Sequence, residues 1–306
     1  MTTHERSPTL ASERLHDPVL VAEALALLAP RPDGRYVDCT VGFGGHTQAL
    51  LRGGAGHVIG IDRDARALAL AAEQLAGVPG RVELVHDEYG RIREVLAARG
   101  IQEVDGVLAD LGVSSMQIDE PARGFSFRHA GPLDMRMDES RGETLADRLS
   151  VVEEHTLADV IWRFGEERAS RRVARAIVQA RDRGELTDTV VLAAVVRRAV
   201  GAHGWQRIDP ATRTFQALRI WVNDEIDALG AFLEAAWQVL ARGGRLVVIA
   251  FHSLEDRVVK HTFRRLAEDA SVARLLTKRP LTASDDECER NPRARSAKLR
   301  GLEKVA

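Results

Sequence analysis

The chain has few cysteines, no long apolar run and almost no net charge. Its 306 residues include two cysteines, Cys39 and Cys288, which are too few for a disulfide framework or a thiolate metal cluster. No apolar stretch approaches the roughly 20 residues that span a bilayer. The segment Met1–Pro8 lacks the apolar region of a secretion signal. These absences predict a cytoplasmic protein that does not enter a membrane.

Charge is balanced overall but unevenly distributed. The 43 Lys and Arg residues and 45 Asp and Glu residues leave a net charge of −2. Residues 1–119 carry 11 arginines against 17 acidic residues, whereas residues 242–306 carry 15 basic residues against 9 acidic ones. The basic end favours a polyanion-binding surface, although composition alone is equally compatible with a solvated surface.

A glycine-rich turn followed by an acidic residue is the most informative pattern. Gly42, Gly44 and Gly45 follow one apolar run, and Asp62 ends the next, His57–Asp62. Glycine adopts positive φ at low cost and lets a ligand approach the backbone. An acid about 20 residues beyond such a turn can bind ribose hydroxyls. The pattern therefore predicts a nucleoside-cofactor site.

Thr47 helps to decide which nucleoside cofactor binds. It stands where dinucleotide sites carry a third Gly or Ala, which allows the close strand–helix crossing that a pyrophosphate needs. Thr47 therefore favours a ligand without a pyrophosphate. S-adenosylmethionine is the first choice and NAD the second.

The alternation of apolar runs with helical segments predicts an α/β fold with a parallel sheet. From Pro121 to Thr212 the strand signals fade, and helical periodicity predicts an inserted helical domain. The sheet is expected to resume beyond it. Strands are predicted at His57–Asp62, Val82–Val85, Val104–Leu111 and Arg245–Phe251; helices at Ala65–Leu75, Glu153–Arg183, Val190–Val200 and Phe215–Leu240; and a closing hairpin at Ala273–Thr282 and Arg295–Leu302, around a mobile loop at Asp285–Glu289.

Seven parts of the chain, in one order, carry a resemblance to a single family: His16–Leu20, Asp38–His46, Asp110–Gln117, Arg123–Phe127 with Gly131–Asp138, Pro210–Arg219, Phe251–Arg257 and Asn291–Lys298. Together they are similar to the bacterial MraW-type methyltransferases of small-subunit ribosomal RNA. The resemblance implies a class I methyltransferase (Rossmann-like) fold with an inserted helical domain. It also implies that S-adenosyl-L-methionine donates a methyl group to the exocyclic N4 of a cytidine in the decoding region of 16S ribosomal RNA.

The resemblance also assigns domains and residues. Residues 1–120 and 213–306 would form the methyltransferase domain, and residues 121–212 the substrate-recognition domain. The cofactor residues carried over by position are Gly44, Gly45, His46, Asp62, Tyr89, Asp110 and Gln117. Two residues depart from the family pattern, since Tyr89 stands where Phe is common and Asp209 where His is frequent.

The chemistry of an exocyclic amine can be considered separately. The N4 lone pair is delocalised into the ring, so an acceptor must draw on an N4 proton before the nitrogen attacks. Asp110, after the fourth predicted strand, can be that acceptor, a cofactor ligand or both. Methylation at C5 would need a cysteine thiolate, for which neither Cys39 nor Cys288 is suited. The spacing of His252 and His261 predicts no metal site.

The expected partner is small-subunit ribosomal RNA, whose bases and phosphates the protein would contact. Stacking is expected from Phe125, Phe127, Trp205 and Trp221, whereas Trp162, Phe164, Trp221 and Trp237 lie in helical patterns typical of core residues. Phosphate contacts are expected from Arg293, Arg295, Lys298 and Arg300, and from a stripe of Arg168, Arg171, Arg172 and Arg175. Both a monomer and a homodimer are compatible with these residues. The alternatives are an RNA-binding assembly factor with a non-catalytic cofactor pocket and, less well matched, a dehydrogenase.

Overall fold

The computed structural model describes residues 18–201 and 208–306. Within these ranges the strands are β1 (Arg35–Asp38), β2 (His57–Asp62), β3 (Arg81–His86), β4 (Val104–Asp110), β5 (Leu240–Ala250), β6 (Ala273–Leu275) and β7 (Lys298–Lys304). The helices are α1 (Val21–Leu28), α2 (Gly45–Arg52), α3 (Ala65–Leu75), α4 (Ile92–Ala97), α5 (Ser115–Asp119), α6 (Leu145–Val151), α7 (Glu154–Gly165), α8 (Ser170–Asp182), α9 (Thr189–Val200), α10 (Ala211–Asn223), α11 (Glu225–Gln238), α12 (Ser253–Leu266) and α13 (Asp285–Arg290). His16, Asp17 and Trp205, which the sequence motifs include, lie outside the described residues.

The described strands form one sheet in the order β3-β2-β1-β4-β5-β7-β6. Strands β1 to β5 are parallel, and β7 is antiparallel to both of its neighbours. The strand order reverses between β1 and β4, and at such a point the connections diverge and leave a crevice at the carboxyl ends of the strands. The α/β class I methyltransferase fold predicted from the sequence is confirmed.

Helices cover both faces of the sheet, which explains the near-continuous apolar strands. On one face Ile59 and Val248 pack with Phe232 of α11, and on the other Val58 and Ile249 pack with Leu50 of α2. A separate apolar cluster joins α6, α7, α8, α9 and α10. No helix within the described ranges is both long and apolar enough to cross a membrane.

Two of the predicted helices are interrupted. The segment predicted as one helix from Glu153 to Arg183 is divided at Glu166, whose φ is 51°. The segment Phe215–Leu240 is divided at Asp224, whose φ is 50°. This left-handed conformation is unfavourable for a residue with a side chain. At Glu166 the carboxylate binds Arg257 and Ser253, so contacts with a distant helix hold the break in place.

The C-terminal region also differs from its prediction. The expected mobile loop at Asp285–Glu289 is wrong, since these residues begin α13. The Ser284 hydroxyl accepts a hydrogen bond from the Glu287 amide, and three acidic residues occupy the first turn. Acidic side chains at this end of a helix interact favourably with its dipole. The hairpin is shorter than expected, with β6 at Ala273–Leu275 and only an isolated bridge between Leu281 and Leu299 beyond it.

Candidate active site

The glycine turn lies between β1 and α2, at the point where the strand order reverses. Gly42 and Gly44 have φ values of 52° and 84°, so both need the conformational freedom of glycine. A Cβ at Gly42 would meet no atom within 4 Å, whereas one at Gly45 would lie 2.9 Å from the Pro18 ring. The turn therefore borders open space on one side and is tightly packed on the other.

Asp62 closes this turn from the end of β2. Its Oδ2 accepts a hydrogen bond from the Gly42 amide at 2.7 Å, and its Oδ1 accepts one from the Asp64 amide at 2.8 Å. Burial raises the pKa of the Asp62 carboxyl to about 6, despite these two bonds. Each carboxylate oxygen has two lone pairs, so each retains one for a ligand hydroxyl.

Tyr89 and Arg63 line the same cavity as the glycine turn and Asp62. Tyr89 follows β3, and its ring lies 4.6 Å from that of Phe232. The Arg63 guanidinium lies 5.6 Å from the Tyr89 ring centre, within the range of a cation–π contact. Burial raises the pKa of the Tyr89 hydroxyl to about 12, so the ring stays neutral. It offers an aromatic surface to a base.

Asp110 and His46 face each other across the carboxyl end of the sheet. Asp110 ends β4, and its Oδ2 lies 3.6 Å from His46 Nδ1. Burial raises the pKa of Asp110 to about 7, an effect that the neighbouring His46 opposes. Asp110 Oδ1 is buried and has no hydrogen-bond partner among the described residues. A buried acceptor without a partner is costly, so a ligand group that donates a hydrogen bond to it would be favoured.

The bonding of His46 determines where the proton of this pair can lie. His46 Nε2 lies 2.9 Å from the carbonyl oxygen of Val19, which can only accept, so Nε2 carries a hydrogen. In neutral His46 the Nδ1 lone pair would therefore face the Asp110 carboxylate. The contact is attractive only when one proton resides on the pair, on either Nδ1 or the carboxyl group.

Gln117 is held in place by two hydrogen bonds of its own side chain. Its Oε1 accepts from the Ser114 amide, and the Ser114 hydroxyl caps α5 in return. Its Nε2 donates to Asp64 Oδ2 at 2.9 Å. The same Asp64 oxygen accepts from Arg123 Nη1 at 2.8 Å, and Arg123 is only 1% exposed. The buried pair of Asp64 and Arg123 thus joins the cofactor sheet to the segment that precedes α6.

A second cluster of charged residues lines another side of the same cavity. The Arg219 guanidinium of α10 pairs with Glu225 through two hydrogen bonds of 2.8 Å, whereas the Glu255 carboxylate lies beside His252. Ligand atoms of Glu225, His252 and Glu255 lie within 4.8 Å of one another. This cluster contains neither cysteine, so the expectation that His252 and His261 are too isolated to form a metal site with Cys39 or Cys288 stays a prediction.

These walls enclose a cavity of about 320 Å³. It brings together six of the seven cofactor residues carried over by position: Gly45, His46, Asp62, Tyr89, Asp110 and Gln117. Gly44 lies behind this lining, where an added Cβ would be 3.2 Å from Leu75. The individual roles stay predictions.

The side chains and backbone that line the cavity fit S-adenosylmethionine. Asp62 offers acceptors for ribose hydroxyls, Tyr89 an aromatic face, and the open side of Gly42 a surface without a side chain. Carboxylates near the turn would disfavour the pyrophosphate of NAD, because like charges repel. The arrangement is chemically suited to a nucleoside whose other end is cationic.

Cys39 also lines the cavity but is poorly suited to nucleophilic attack. It is 2% exposed, and burial raises the pKa of its thiol well above the usual value. A thiol in that state is rarely ionised, and the thiolate is the nucleophile. The other cysteine, Cys288, is partly buried against the apolar cluster under α1 and α2. The structure therefore disfavours chemistry through a cysteine adduct.

Sequence reasoning overlooked the residues that support the site. Asp38, fully buried, accepts the Thr47 hydroxyl at 2.7 Å, and its pKa is raised to about 6 by burial. Asp64 could have been found as the helix-capping acid before α3. The partnership of Arg219 with Glu225 spans the helix break at Asp224, which no periodicity revealed. Asp209, the departure from the family pattern, forms an ion pair with Arg197.

The expected aromatic RNA contacts are only partly placed as predicted. Phe125 is buried at 9% exposure, and the Phe127 ring packs 4.8 Å from that of Phe215. Trp162, expected in the core, is 57% exposed. Phe164 and Trp237 are buried, as the helical pattern predicted.

Most of the tail cations expected at phosphates already have carboxylate partners. Arg293 pairs with Asp119, while Lys298 and Arg300 both pair with Asp256. Arg300 is only 8% exposed. Arg295 is exposed and has no such partner in the described parts of the chain. A phosphate-binding tail is thus weakly supported by the structure.

Comparisons with known proteins agree with the resemblance seen in the motifs. The model of the MraW methylase family matches residues 13–305. A protein of Sorangium cellulosum named ribosomal RNA small subunit methyltransferase H is 57% identical over 290 residues, covering 95% of this chain and 91% of the relative. Proteins of the same name from Rhodopseudomonas palustris (51% identity; 95% and 92% covered) and Nitratidesulfovibrio vulgaris (50%; 100% of both) are also similar.

Proposed function

The chain belongs to the MraW methylase family, and from this premise we propose that it methylates the exocyclic N4 of a cytidine in the decoding region of small-subunit ribosomal RNA. Methylation of ribosomal RNA with S-adenosylmethionine is the activity that membership of the family carries. The target atom and the target region are our proposal. Asp110 is the residue on which it depends.

The observation that supports an amine as the target is the unpaired oxygen of Asp110. Asp110 Oδ1 is buried at the cavity, with no hydrogen-bond partner among the described residues. An exocyclic amine carries N–H groups that can satisfy such an acceptor, whereas a ring carbon carries none. The raised pKa of Asp110, about 7, is close to the pH at which a general base works best.

The residues of the chain have complementary tasks in this reaction. When bound, S-adenosylmethionine supplies a methyl group on a positively charged sulfur. Asp110 Oδ1 would accept a hydrogen bond from N4–H, so that the nitrogen lone pair is less delocalised. The N–C bond would then form as the bond between the methyl carbon and the cofactor sulfur breaks, which leaves a neutral thioether. The displaced N4 proton passes to the Asp110 carboxylate and then to solvent. His46 Nδ1 lies 3.6 Å from the other Asp110 oxygen and would orient the carboxyl group when a proton lies between them.

We further propose that the work is divided along the chain. Residues 1–120 and 213–306 would bind the cofactor, and residues 121–212 would recognise the substrate. The separate apolar cluster of α6 to α9 supports this division, and the same cluster takes in Phe215, Leu218 and Val222 of α10, beyond residue 212. We expect the enzyme to act in the cytoplasm on RNA already in the small subunit, because assembly can present an unstacked cytidine whose extrusion otherwise costs a few kcal/mol.

Nucleoside analysis of the product tests the proposal. The protein is incubated with S-adenosylmethionine and small subunits that have not been modified by it, and the RNA is digested and separated by mass spectrometry against methylcytidine standards. N4-methylcytidine is expected. A methyl group on C5 or on the ribose would refute the chemistry, and no methylation of any ribosomal substrate would favour the non-catalytic assembly factor.

A further inference from the structure

A second, larger cavity lies on the helical segment, away from the cofactor site. It has a volume of about 1110 Å³ and is formed where α7 ends, α8 begins and α10 begins. We call it the α8 groove. Its lining includes Trp162, Arg168, Arg171, Arg172, Ile208 and Arg213.

Three of the four arginines that line the α8 groove, Arg168, Arg171 and Arg213, are exposed and have no carboxylate partner within 4.0 Å among the described residues. By contrast, Arg163 and Arg175 on the neighbouring helix surfaces pair with Asp227 and Glu154. The groove therefore collects guanidinium groups whose donors are available.

The position of these arginines on α8 adds to their positive potential. Arg171 and Arg172 lie in the first turn of α8, which has no acidic residue and no side-chain cap. The N-terminal end of a helix already has unpaired amides and a partial positive charge, so cations there are unfavourable for the isolated helix. The Ala169 and Ser170 amides already donate to Glu167, so an anion in the groove would act mainly by offsetting the positive charge of the arginines.

The groove also contains exposed apolar surface. Trp162 is 57% exposed and Ile208 is 62% exposed, although α7 buries its other large apolar residues. An exposed tryptophan beside guanidinium groups is an arrangement that stacks a nucleic acid base while the cations contact the backbone. Three acidic residues also line the groove. Glu167 is buried and accepts a hydrogen bond from the Ala169 amide, Asp209 pairs with Arg197, and Asp159 is exposed.

We propose that the α8 groove binds a single-stranded segment of the substrate RNA, with arginines on its phosphates and a base stacked on Trp162. This inference rests on the proposed function, because it assigns the binding of RNA that flanks the target. An acidic peptide would satisfy the arginines but would leave Trp162 without a stacking partner. RNA satisfies both.

Helix α10 connects the α8 groove to the active-site cavity. Arg213, near its start, lines the groove, and Arg219, six residues later, lines the cavity. Six residues correspond to a rise of about 9 Å along a helix. Nucleotides close to the target cytidine can therefore reach the groove while the target base enters the cavity.

Charge removal with a matched control tests this inference. The variant R168Q/R171Q/R213Q removes three unpaired cations, and R163Q/R175Q/R183Q removes three ion-paired ones from the same helical region. Binding of a short fluorescein-labelled single-stranded RNA is measured by anisotropy over a range of salt concentrations. We expect the groove variant to bind at least about tenfold more weakly and to lose about two units of salt slope, at roughly 0.7 per phosphate contact.

The control variant is expected to keep the wild-type affinity and salt slope, and both variants should bind S-adenosylmethionine normally. RNA quenching of tryptophan fluorescence should be smaller in W162F than in the wild type, because one stacked ring has been replaced. Wild-type affinity and salt slope in the groove variant would overturn the inference. The inference would also be overturned if the groove variant bound the short RNA normally but no longer bound whole small subunits. That result would point to an acidic protein segment instead.

The two proposals fail separately in these experiments. If the wild-type product is not N4-methylcytidine, the proposed chemistry fails even when the groove variant binds RNA poorly. If the product is N4-methylcytidine and the groove variant binds and methylates as the wild type does, only the groove assignment fails.

Discussion

Asp110 and Asp62 are both buried acids at strand ends, but their bonding differs. Both oxygens of Asp62 accept from backbone amides, whereas Asp110 keeps one buried oxygen unpaired. Asp62 is thus part of the glycine turn through two backbone hydrogen bonds, whereas one oxygen of Asp110 stays available to a ligand donor. The same residue type at equivalent places is suited to different tasks.

We expect Asp110→Asn to lower single-turnover methyl transfer at least about 100-fold with little change in S-adenosylmethionine affinity, because an amide oxygen is a poor proton acceptor. In the wild type the rate should rise with pH and level off above about 7, the raised pKa of Asp110. The variant should lose this dependence. Rapid-quench kinetics and calorimetric titration measure the two quantities.

Asp62→Ala provides the contrast. It should weaken S-adenosylmethionine binding at least about tenfold, since each hydrogen bond to a charged group contributes about 1.5 to 3 kcal/mol. If Asp110→Asn reduced affinity and rate in parallel, Asp110 would be a cofactor ligand and the proton acceptor would have to be another group of the loop after β4.

At the scale of elements, a buried ion pair contributes to the connection between the sheet and the helical segment, together with the apolar contacts of Phe164 with Leu254. Arg123 donates to Asp64 at the start of α3 and to the carbonyl oxygens of Arg136 and Met137. Both charged side chains are at least 95% buried. A buried charge that loses its partner is strongly destabilising, so this pair should help to determine how firmly the two parts are joined.

Arg123→Met should lower the free energy of unfolding by about 3 to 5 kcal/mol, because it leaves the buried Asp64 carboxylate without its counterion, with only the neutral donors of Gln117 and the backbone. Arg66→Gln is the matched control, since Arg66 is 53% exposed in its pair with Glu120 and should contribute at most about 1 kcal/mol. Urea unfolding of the two variants measures the difference. Similar losses in both would show that the buried pair contributes no more than the exposed one.

At the scale of the whole molecule, three buried carboxyls surround the active site. Burial raises the pKa values of Asp38 and Asp62 to about 6 and that of Asp110 to about 7, all above 3.8. The folded state therefore holds protons that the unfolded chain releases at lower pH. Their contribution to stability is fully present below about pH 4 and is lost as the pH rises through 6 to 7.

We therefore expect the stability advantage of Asp110→Asn over the wild type to grow between pH 4 and pH 8, because the variant has no carboxylate to ionise. The difference in melting temperature should be close to zero at the acidic end and positive at the alkaline end. Differential scanning calorimetry without cofactor measures it. A difference independent of pH would mean that Asp110 titrates normally in the folded protein.

Much of the fold and the cofactor site could be predicted from local sequence. The boundaries of β2 and α3 agree with their predictions, since each has a clear periodicity and Asp64 caps the helix. The glycines and Asp62 were recognisable because backbone geometry requires those residue types. The motifs predicted membership of the family, which the comparisons confirm.

Only the tertiary structure decided the features that depend on distant partners. The helix break at Glu166 is held by Arg257, 91 residues away, and the exposure of Trp162 depends on which side of α7 faces its neighbours. Arg293 and Arg300 of the tail form ion pairs with Asp119 and Asp256. The net charge of the C-terminal segment therefore did not reveal that these arginines are already paired and less available to phosphates. Periodicity and composition record what each residue prefers locally, whereas burial and charge pairing arise only when remote segments meet.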